Sequence, residues 1–245
     1  MRNSVFYLLA FSVFFAVSCN TSYKVGQVEY SSYPIQKQNN NDQSLNLLIK
    51  PYGDSVSKLM NVVIGNNETK LERDPQFNTL GYFMTDAYLE MAKQKVDPEV
   101  DLAFMNTGGV RLPDLPAGPI IQGKIFELMP FDNLMVILKM KGNMLQQYLD
   151  TLAATDGIIE SGMTLKIVNS TAQKVIINGK TLDPNADYSI VHSDYAAINS
   201  GLLKNIKRTT NGYLLRDALL DYVKFFERQG KKVIVSNTDR ISYVN

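Results

Sequence analysis

Apolar positions recur along most of the chain in two different periods, and the alternation between them predicts interleaved helices and strands. Helical spacing marks residues 45–60, 78–95, 142–153 and 214–229. Short apolar runs predict strands at residues 62–64, 100–105, 134–140, 163–168, 175–177 and 188–192, with two more near Val233 and Ile241. Pro51 is expected to bend or interrupt the first helix. Asn178-Gly179 predicts a tight hairpin turn, because both positions tolerate positive φ.

This order of elements predicts the fold class. Hairpins and crossovers both occur between residues 44 and 245, with no internal repeat and no second linker. The expected fold is therefore α/β (α+β): a single domain with a mixed β-sheet flanked by helices. Hydrophobic residues make up 45% of the chain, which is enough for one sizeable core.

The N-terminal residues have the pattern of an export signal rather than of a folded domain. Arg2 precedes an apolar run over residues 5–17, which is too short to span a membrane and typical of a signal peptide. The run ends in Ala16-Val17-Ser18-Cys19, similar to a bacterial lipoprotein cleavage site. An ordinary signal peptide with an incidental cysteine is the alternative. Cys19 is the only cysteine, so it cannot form an internal disulfide, yet it lies where a lipid would be attached.

These features predict three segments: a lipoprotein-type signal peptide over residues 1–18, a polar tether over 19–43 and a folded domain over 44–245. The tether is too polar to bury a core of its own. We expect an exported protein, lipid-anchored through Cys19 in the cell envelope, at the periplasmic face of a Gram-negative membrane.

The charge balance and the histidine content argue against two classes of function, nucleic-acid binding and metal-dependent catalysis by this chain. Lys and Arg number 25 against 24 Asp and Glu, so the chain lacks the basic excess that a nucleic-acid backbone would need. His192 is the only histidine, and no residues have the spacing of metal ligands or of a known catalytic motif, so we expect no metal, cofactor or catalytic residue in this chain. A structural role at a strand end is expected for His192.

Residues 106–111, Asn-Thr-Gly-Gly-Val-Arg, follow a predicted buried strand. Ligands gather at the carboxyl ends of strands in open α/β sheets, and paired glycines let backbone N–H groups approach an anion. Arg111 adds a permanently charged guanidinium. A plain glycine-rich turn with a surface arginine explains the segment equally well.

Two aromatic residues lie at predicted loop–strand boundaries. Phe131 occurs in Met129-Pro130-Phe131-Asp132-Asn133, before a strand, and Tyr195 follows the strand that ends near His192. Rings from separate loops could sandwich a nucleobase. The alternatives are a core position for Phe131 and half-buried packing for Tyr195.

Taken in order, these segments resemble the C-terminal, nucleotide-binding domain of the 5'-nucleotidase and UDP-sugar hydrolase family. The similar pieces are Asn78-Thr79-Leu80-Gly81 with Asp86-Ala87, Asn106 to Arg111, Ala117-Gly118-Pro119-Ile120, Met129 to Asn133, Met140-Lys141-Gly142-Asn143 and Ser161-Gly162. The resemblance runs from about Leu45 to the C-terminus. The family's metallophosphatase domain is not part of it.

The resemblance implies a set of substrate-binding residues. Phe131 and Tyr195 would clamp the base, and Arg111 would read ribose or phosphate. Asn106, Asn133 and Gly157 match positions that contact base or ribose, and Arg73 matches a second arginine on the phosphate side. One departure is clear: the family has Gly-Gly-Asp-Gly where this chain has Asn199-Ser200-Gly201-Leu202, so the ribose-binding aspartate is missing.

Two functional hypotheses follow. In the first, the chain is the nucleotide-binding subunit of a 5'-nucleotidase-type hydrolase in nucleotide catabolism. It is inactive alone and presents its nucleotide to a separate metallophosphatase chain that carries the divalent metals. In the alternative it is a non-catalytic, membrane-tethered lipoprotein that binds nucleotides or nucleosides. A purely structural or interaction module remains a third possibility.

Overall fold

The computed structural model describes residues 26, 30–33, 42–74, 78–155, 157–235 and 239–244. Cys19, the predicted signal peptide and most of the predicted tether lie outside these residues. The chain divides into two compact units, Met1–Asn46 and Leu47–Asn245, and the sheets, the core and the cavity described below belong to the second. In the described part of the chain, no helix is both long and apolar enough to cross a bilayer.

The described residues contain six α-helices. They are α1 (Gln43–Met60), α2 (Thr79–Lys95), α3 (Gln122–Leu128), α4 (Gly142–Ala154), α5 (Asp194–Asn199) and α6 (Leu215–Arg228). The predicted long helices are all present. Helix α1 continues through Pro51, so the expected break is absent. Its surroundings are exposed, and solvent can satisfy the carbonyl that loses its backbone partner.

Within the described ranges, the strands form four sheets rather than the one expected mixed sheet. In chain order they are β1 (Val63–Asn67), β2 (Leu71–Glu72), β3 (Leu102–Met105), β4 (Asp114–Leu115), β5 (Gly118–Ile121), β6 (Met135–Lys141), β7 (Ile159–Ser161), β8 (Met163–Val168), β9 (Thr171–Ile177), β10 (Lys180–Thr181), β11 (Asp187–Ser193), β12 (Arg208–Thr209) and β13 (Ile241–Val244). The predicted hairpin joins β9 to β10, and Asn178 and Gly179 both have positive φ.

A five-stranded mixed sheet of order β12-β6-β11-β3-β7 forms the centre of the domain, and a four-stranded sheet of order β10-β9-β8-β13 lies beside it. Two pairs, β1-β5 and β2-β4, complete the set. The mixed α/β class is thus confirmed, with the strands divided among more sheets than predicted.

The central sheet separates two hydrophobic clusters, because successive side chains of a strand point to opposite faces. Ala103 and Met105 of β3 belong to the cluster that contains α2 and α6 residues. Leu102 and Phe104 belong to the cluster formed with α4 and the four-stranded sheet. The sheet is therefore buried on both faces. A ligand can reach it only at its edges and at the ends of its strands.

Candidate functional site

Three segments that are distant in sequence meet at one edge of the central sheet. Strands β3 and β11 are parallel, so their carboxyl ends lie at the same edge. Strand β6 runs antiparallel to β11 and begins there, since Met135 pairs with Ser193. The residues that follow β3, precede β6 and follow β11 are consequently brought together.

A cavity of about 350 Å³ opens at this edge. Its walls come from all three segments and from α2 and α6. The lining residues are Tyr88, Phe104, Met105, Asn106, Gly108, Gly109, Arg111, Met129, Phe131, Asn133, His192, Ser193, Tyr195 and Leu215. Five of the predicted substrate-binding residues, Asn106, Arg111, Phe131, Asn133 and Tyr195, are among them.

The first wall is the turn after β3. Residues Thr107–Gly109 form a short 3₁₀ turn, and Asn106 before it is extended. Arg111 folds back over this turn and donates from Nη1 to the carbonyl oxygen of Gly108 at 3.2 Å. Its guanidinium carbon lies 5.6 Å from the ring centroid of Phe131, so the first wall touches the second.

The second wall is the Phe131 loop, residues 129–133, which is held by the N-terminal turn of α6. The backbone N–H of Leu215 donates to the carbonyl of Asn133 at 3.0 Å. Arg216 donates from Nη1 to the carbonyl of Phe131 at 3.3 Å and forms an ion pair with Asp132. The Phe131 ring remains 39% exposed, so the loop is fixed while its aromatic face is accessible.

Arg216 also packs against the helix that precedes this loop. Its guanidinium carbon lies 4.5 Å from the ring centroid of Phe126, on α3. The side chain is mostly buried, with 12% of its surface exposed, whereas Asp132 is 78% exposed. Arg216 therefore connects α6, α3 and the Phe131 loop. No sequence motif indicates this role, because its partner Asp132 is 84 residues away.

The third wall is α5, which carries Tyr195. The Ser193 hydroxyl accepts from the backbone N–H of Ala196 at 3.0 Å and caps this helix. Asp194 accepts from the backbone N–H groups of Tyr195 and Leu134, at 2.7 and 3.1 Å, and so fastens α5 to the start of β6. Tyr195 is 58% exposed, and neither it nor Phe131 is sealed in the core.

Two amide side chains in the cavity have no intramolecular partner among the described residues. Asn106 and Asn133 both line the cavity, and neither side chain takes part in a hydrogen bond there. An amide can donate and accept at once. The pair can therefore meet the polar edge of a flat ligand that lies against the rings.

The floor of the cavity contains His192, which has the structural role predicted for it. Its Nδ1 accepts from the backbone N–H of Ser193 at 2.9 Å, so the proton of the neutral ring is on Nε2, which lies 2.8 Å from the Tyr148 hydroxyl. Burial lowers the pKa of His192 to about 4. The imidazole is therefore neutral near pH 7, and both of its nitrogens are already engaged.

Gly157 and Arg73 do not line the cavity. Gly157 has a φ of 79° and donates its backbone N–H to the carbonyl of Leu152 at 3.0 Å, which ends α4. Arg73 donates from Nη1 to the carbonyl of Val110 at 3.0 Å. Its side chain is exposed and is not among the residues that line this cavity.

The described residues contain no group of three or more His, Cys, Asp or Glu side chains arranged to hold a metal ion. The cavity itself offers aromatic faces, amides, one guanidinium and a neutral histidine. This set is suited to holding a flat heterocycle with an attached anion.

Comparison with known proteins identifies the family of this chain. Residues 56–208, more than half of the chain, match the family described as the 5'-nucleotidase C-terminal domain. The chain belongs to this family. The matched region contains Phe131, Tyr195 and Arg111, which all line the cavity.

The named relatives are longer than the part that this chain matches. It is 28% identical over 190 residues to the protein UshA of Yersinia enterocolitica, covering 74% of this chain and 32% of the relative. It is 27% identical over 175 residues to a 5'-nucleotidase of Vibrio vulnificus, covering 66% of this chain and 30% of the relative. The chain thus spans about a third of the length of these relatives.

A solved structure shares the fold. The 5'-nucleotidase precursor of Thermus thermophilus superposes with a TM-score of 0.70 at 24% identity, over 83% of this chain and 44% of that one. The expected membership of the 5'-nucleotidase C-terminal domain family and the expected fold class are both confirmed.

Proposed function

We propose that this chain is the nucleotide-binding subunit of a 5'-nucleotidase-type hydrolase in nucleotide catabolism and presents its nucleotide to a separate metallophosphatase chain. One observation carries the proposal. Three segments that are distant in sequence bring two accessible aromatic faces, two unengaged amides and a guanidinium to one cavity. The family membership and the relatives named 5'-nucleotidase support the same substrate class.

The base would lie against the rings of Phe131 and Tyr195. Stacking on one aromatic side chain stabilises a bound base by roughly 1–3 kcal/mol and tolerates different bases. The amides of Asn106 and Asn133 then meet the polar edge of the base or the ribose. This division of roles predicts moderate affinity with broad base preference.

In this proposal Arg111 binds the phosphate. Its side chain is exposed, and the hydrogen bond to the Gly108 carbonyl occupies only one of its N–H donors. A guanidinium stays charged at all relevant pH values and can pair with a phosphate through two parallel hydrogen bonds. Its position over Phe131 keeps the charge next to the proposed base-stacking face.

The ribose has the fewest candidate binding side chains in this cavity. Asp194 is not a direct replacement for the missing family aspartate, because it precedes Tyr195 in the sequence, whereas the family aspartate follows that position. Its Oδ1 already accepts from two backbone N–H groups. The Asn199 side chain donates to the carbonyl of Tyr195 at 2.8 Å. Affinity in this proposal therefore comes mainly from stacking and phosphate pairing.

In this proposal the metal ions belong to the partner, and this chain alone does not hydrolyse nucleotides. A lipid at Cys19 would hold the subunit at the periplasmic face of a Gram-negative membrane. The partner would then act on a nucleotide that is already oriented, with its phosphate toward Arg111.

Two measurements test the proposal. Calorimetry with AMP, UDP-glucose and adenosine should show binding by the pure protein, with AMP tighter than adenosine because of Arg111. Phosphate release from AMP should be absent for the chain alone and appear when a metallophosphatase from the same organism is added. Robust hydrolysis by the pure chain overturns the division into subunits. Failure to bind any of these ligands at millimolar concentration overturns the nucleotide assignment. Nucleotide binding without any cooperating phosphatase supports the alternative, a non-catalytic membrane-tethered lipoprotein that binds nucleotides or nucleosides.

A further inference from the structure

Helix α1 carries an exposed apolar stripe. Leu48, Ile49, Tyr52, Val56 and Leu59 recur at three- and four-residue spacing, so they share one face of the helix. Each is more than half exposed, and no residue of α1 is buried in the described structure. We call these five residues the α1 stripe.

The α1 stripe differs from the apolar faces of the other long helices. Helices α2 and α6 bury their apolar residues in the core beside the central sheet. Val62 and Val63, which follow α1 directly, are also about half exposed and extend the apolar surface. A contiguous apolar surface of this kind on a folded domain indicates an interaction site.

The charges around the stripe favour a protein partner over a membrane surface. Helices that lie on anionic membranes are rich in Lys and Arg on the polar face. The polar face of α1 instead has an internal ion pair, Lys50 with Asp54 at 2.7 Å, and one further cation, Lys58. This near-neutral face offers little attraction to anionic lipid headgroups.

The length of α1 argues against self-association as a coiled coil. Such pairing is expected when an apolar heptad pattern continues for at least about three to four heptads. Helix α1 has 18 residues, which is under three heptads. A short amphipathic helix with anchors at this spacing is better suited to lie in an apolar groove of another protein.

Helix α1 is also connected to the cavity by a short path. The backbone N–H of Gln122, the first residue of α3, donates to the carbonyl of Val62 at 2.8 Å. Helix α3 has 7 residues and therefore spans roughly 10 Å. Met129, which follows it, lines the cavity. The C-terminal end of α1 is therefore joined to the cavity wall through α3.

The comparisons with known proteins bear on the identity of the partner that would bind to α1. The family match is a C-terminal domain and begins at residue 56, within α1. The relatives are about three times as long as the part that this chain covers. In longer proteins that contain this C-terminal domain, the part that precedes the domain therefore joins it at the sequence position of α1.

We propose that the α1 stripe docks in an apolar groove of the metallophosphatase chain and so aligns that chain with the nucleotide cavity. This inference rests on the proposed function, because it needs a separate catalytic chain. It adds the surface through which the two subunits recognise one another.

The test uses the full chain with an affinity tag, purified from membranes of its own organism in mild detergent. We expect metal-dependent AMP hydrolysis to co-purify with it, and mass spectrometry to identify a metallophosphatase in the same fraction. The double substitution Ile49→Lys and Val56→Lys should lower the co-purifying activity at least tenfold. The matched control, Ser57→Lys on the polar face, should leave that activity near the wild-type level.

Calorimetry with AMP separates failure of this inference from failure of the proposed function. Both variants should bind AMP as the wild type does, because α1 does not line the cavity. Equal co-purification of the phosphatase with the double variant and the control overturns the docking surface and leaves the proposed function standing. A wild-type chain that purifies as a dimer, or without any phosphatase, also overturns the docking proposal.

Discussion

The mouth and the floor of the cavity use similar side chains for opposite purposes. At the floor, Phe104 and His192 are buried. Tyr148, which does not line the cavity, packs against Phe104 with the ring centroids 5.5 Å apart. At the mouth, Phe131 and Tyr195 keep 39% and 58% of their surface exposed. Core packing accounts for the burial of the floor residues. It does not explain why two large aromatic side chains at the mouth remain exposed to solvent.

The two regions also differ in how they are attached. The floor residues Phe104 and His192 belong to β3 and β11, central strands of the five-stranded sheet. The mouth residues lie in a loop and a short helix that a few side chains fasten, chiefly Arg216 and Asp194. Substitutions at the floor should therefore change the free energy of unfolding, and substitutions at the mouth should change ligand affinity.

The largest expected effect is at the floor. Phe104→Ala should lower the free energy of unfolding by about 3–5 kcal/mol, because it leaves a cavity between rigid neighbours in the core. Urea denaturation monitored by circular dichroism measures this change.

The matched control is the same chemical change at the mouth. Phe131→Ala should cost about 1 kcal/mol of unfolding free energy or less, since the ring is already partly in water. Equal destabilisation by the two substitutions contradicts the distinction between floor and mouth.

The second prediction concerns the pH dependence that the floor histidine introduces. Burial lowers the pKa of His192 from its ordinary 6.5 to about 4, so the folded protein disfavours the charged ring. The stabilising contribution is complete above pH 6.5 and is lost as the pH falls from 6.5 to 4, by on the order of 3 kcal/mol. Unfolding free energies measured across this range should decline accordingly.

The variant His192→Gln separates this histidine from other titrating groups. Its glutamine side chain does not titrate, so the difference in unfolding free energy between wild type and variant should shrink as the pH falls. A constant difference between pH 7 and pH 4 removes His192 as the source of the pH dependence.

The sequence predicted the long elements of the fold well and the short ones poorly. Residues 78–95 have several turns of apolar periodicity and form α2 close to the predicted bounds. Helices α3 and α5 have only 7 and 6 residues, which is too short for a clear period, and neither was predicted. The partition into four sheets depends on long-range pairing, such as that of β13 with β8, which local patterns do not encode.

Of the site, the sequence predicted the accessible groups but not their supports. The positions of Phe131 and Tyr195 next to strand ends follow from the apolar pattern and from the family resemblance, and both residues line the cavity. Arg73 donates to the carbonyl of Val110 and does not line the cavity, so its predicted phosphate contact stays a prediction. Arg216 was missed because its contacts join residues more than eighty positions apart.

The third prediction tests the mouth directly. Phe131→Ala should weaken AMP binding by roughly 1–3 kcal/mol, because one stacking face is lost while the phosphate contact remains. Calorimetry measures the change, with Phe131→Tyr as a control that preserves the face. Unchanged affinity in the alanine variant removes Phe131 from the binding site.

The smallest expected effect concerns the support of the mouth. Arg216→Gln should weaken AMP binding about three- to tenfold, on the order of 1 kcal/mol, because the Phe131 loop loses both its side-chain hydrogen bond and its ion pair. The effect on stability should be smaller still, since Asp132 is exposed and its charge remains hydrated.

A double-substitution cycle distinguishes positioning by Arg216 from a direct contact with the nucleotide. If Arg216 acts only by fixing the Phe131 ring, Arg216→Gln should have no further effect on AMP affinity once Phe131 is alanine. With Phe131 intact, Arg216→Lys should bind AMP more tightly than Arg216→Gln but less tightly than the wild type. Lysine can restore the ion pair with Asp132 but not the hydrogen bond to the Phe131 carbonyl as well. Additive losses in the double variant would instead mean that Arg216 contributes to binding independently of the ring, and that the mouth is supported by some other contact.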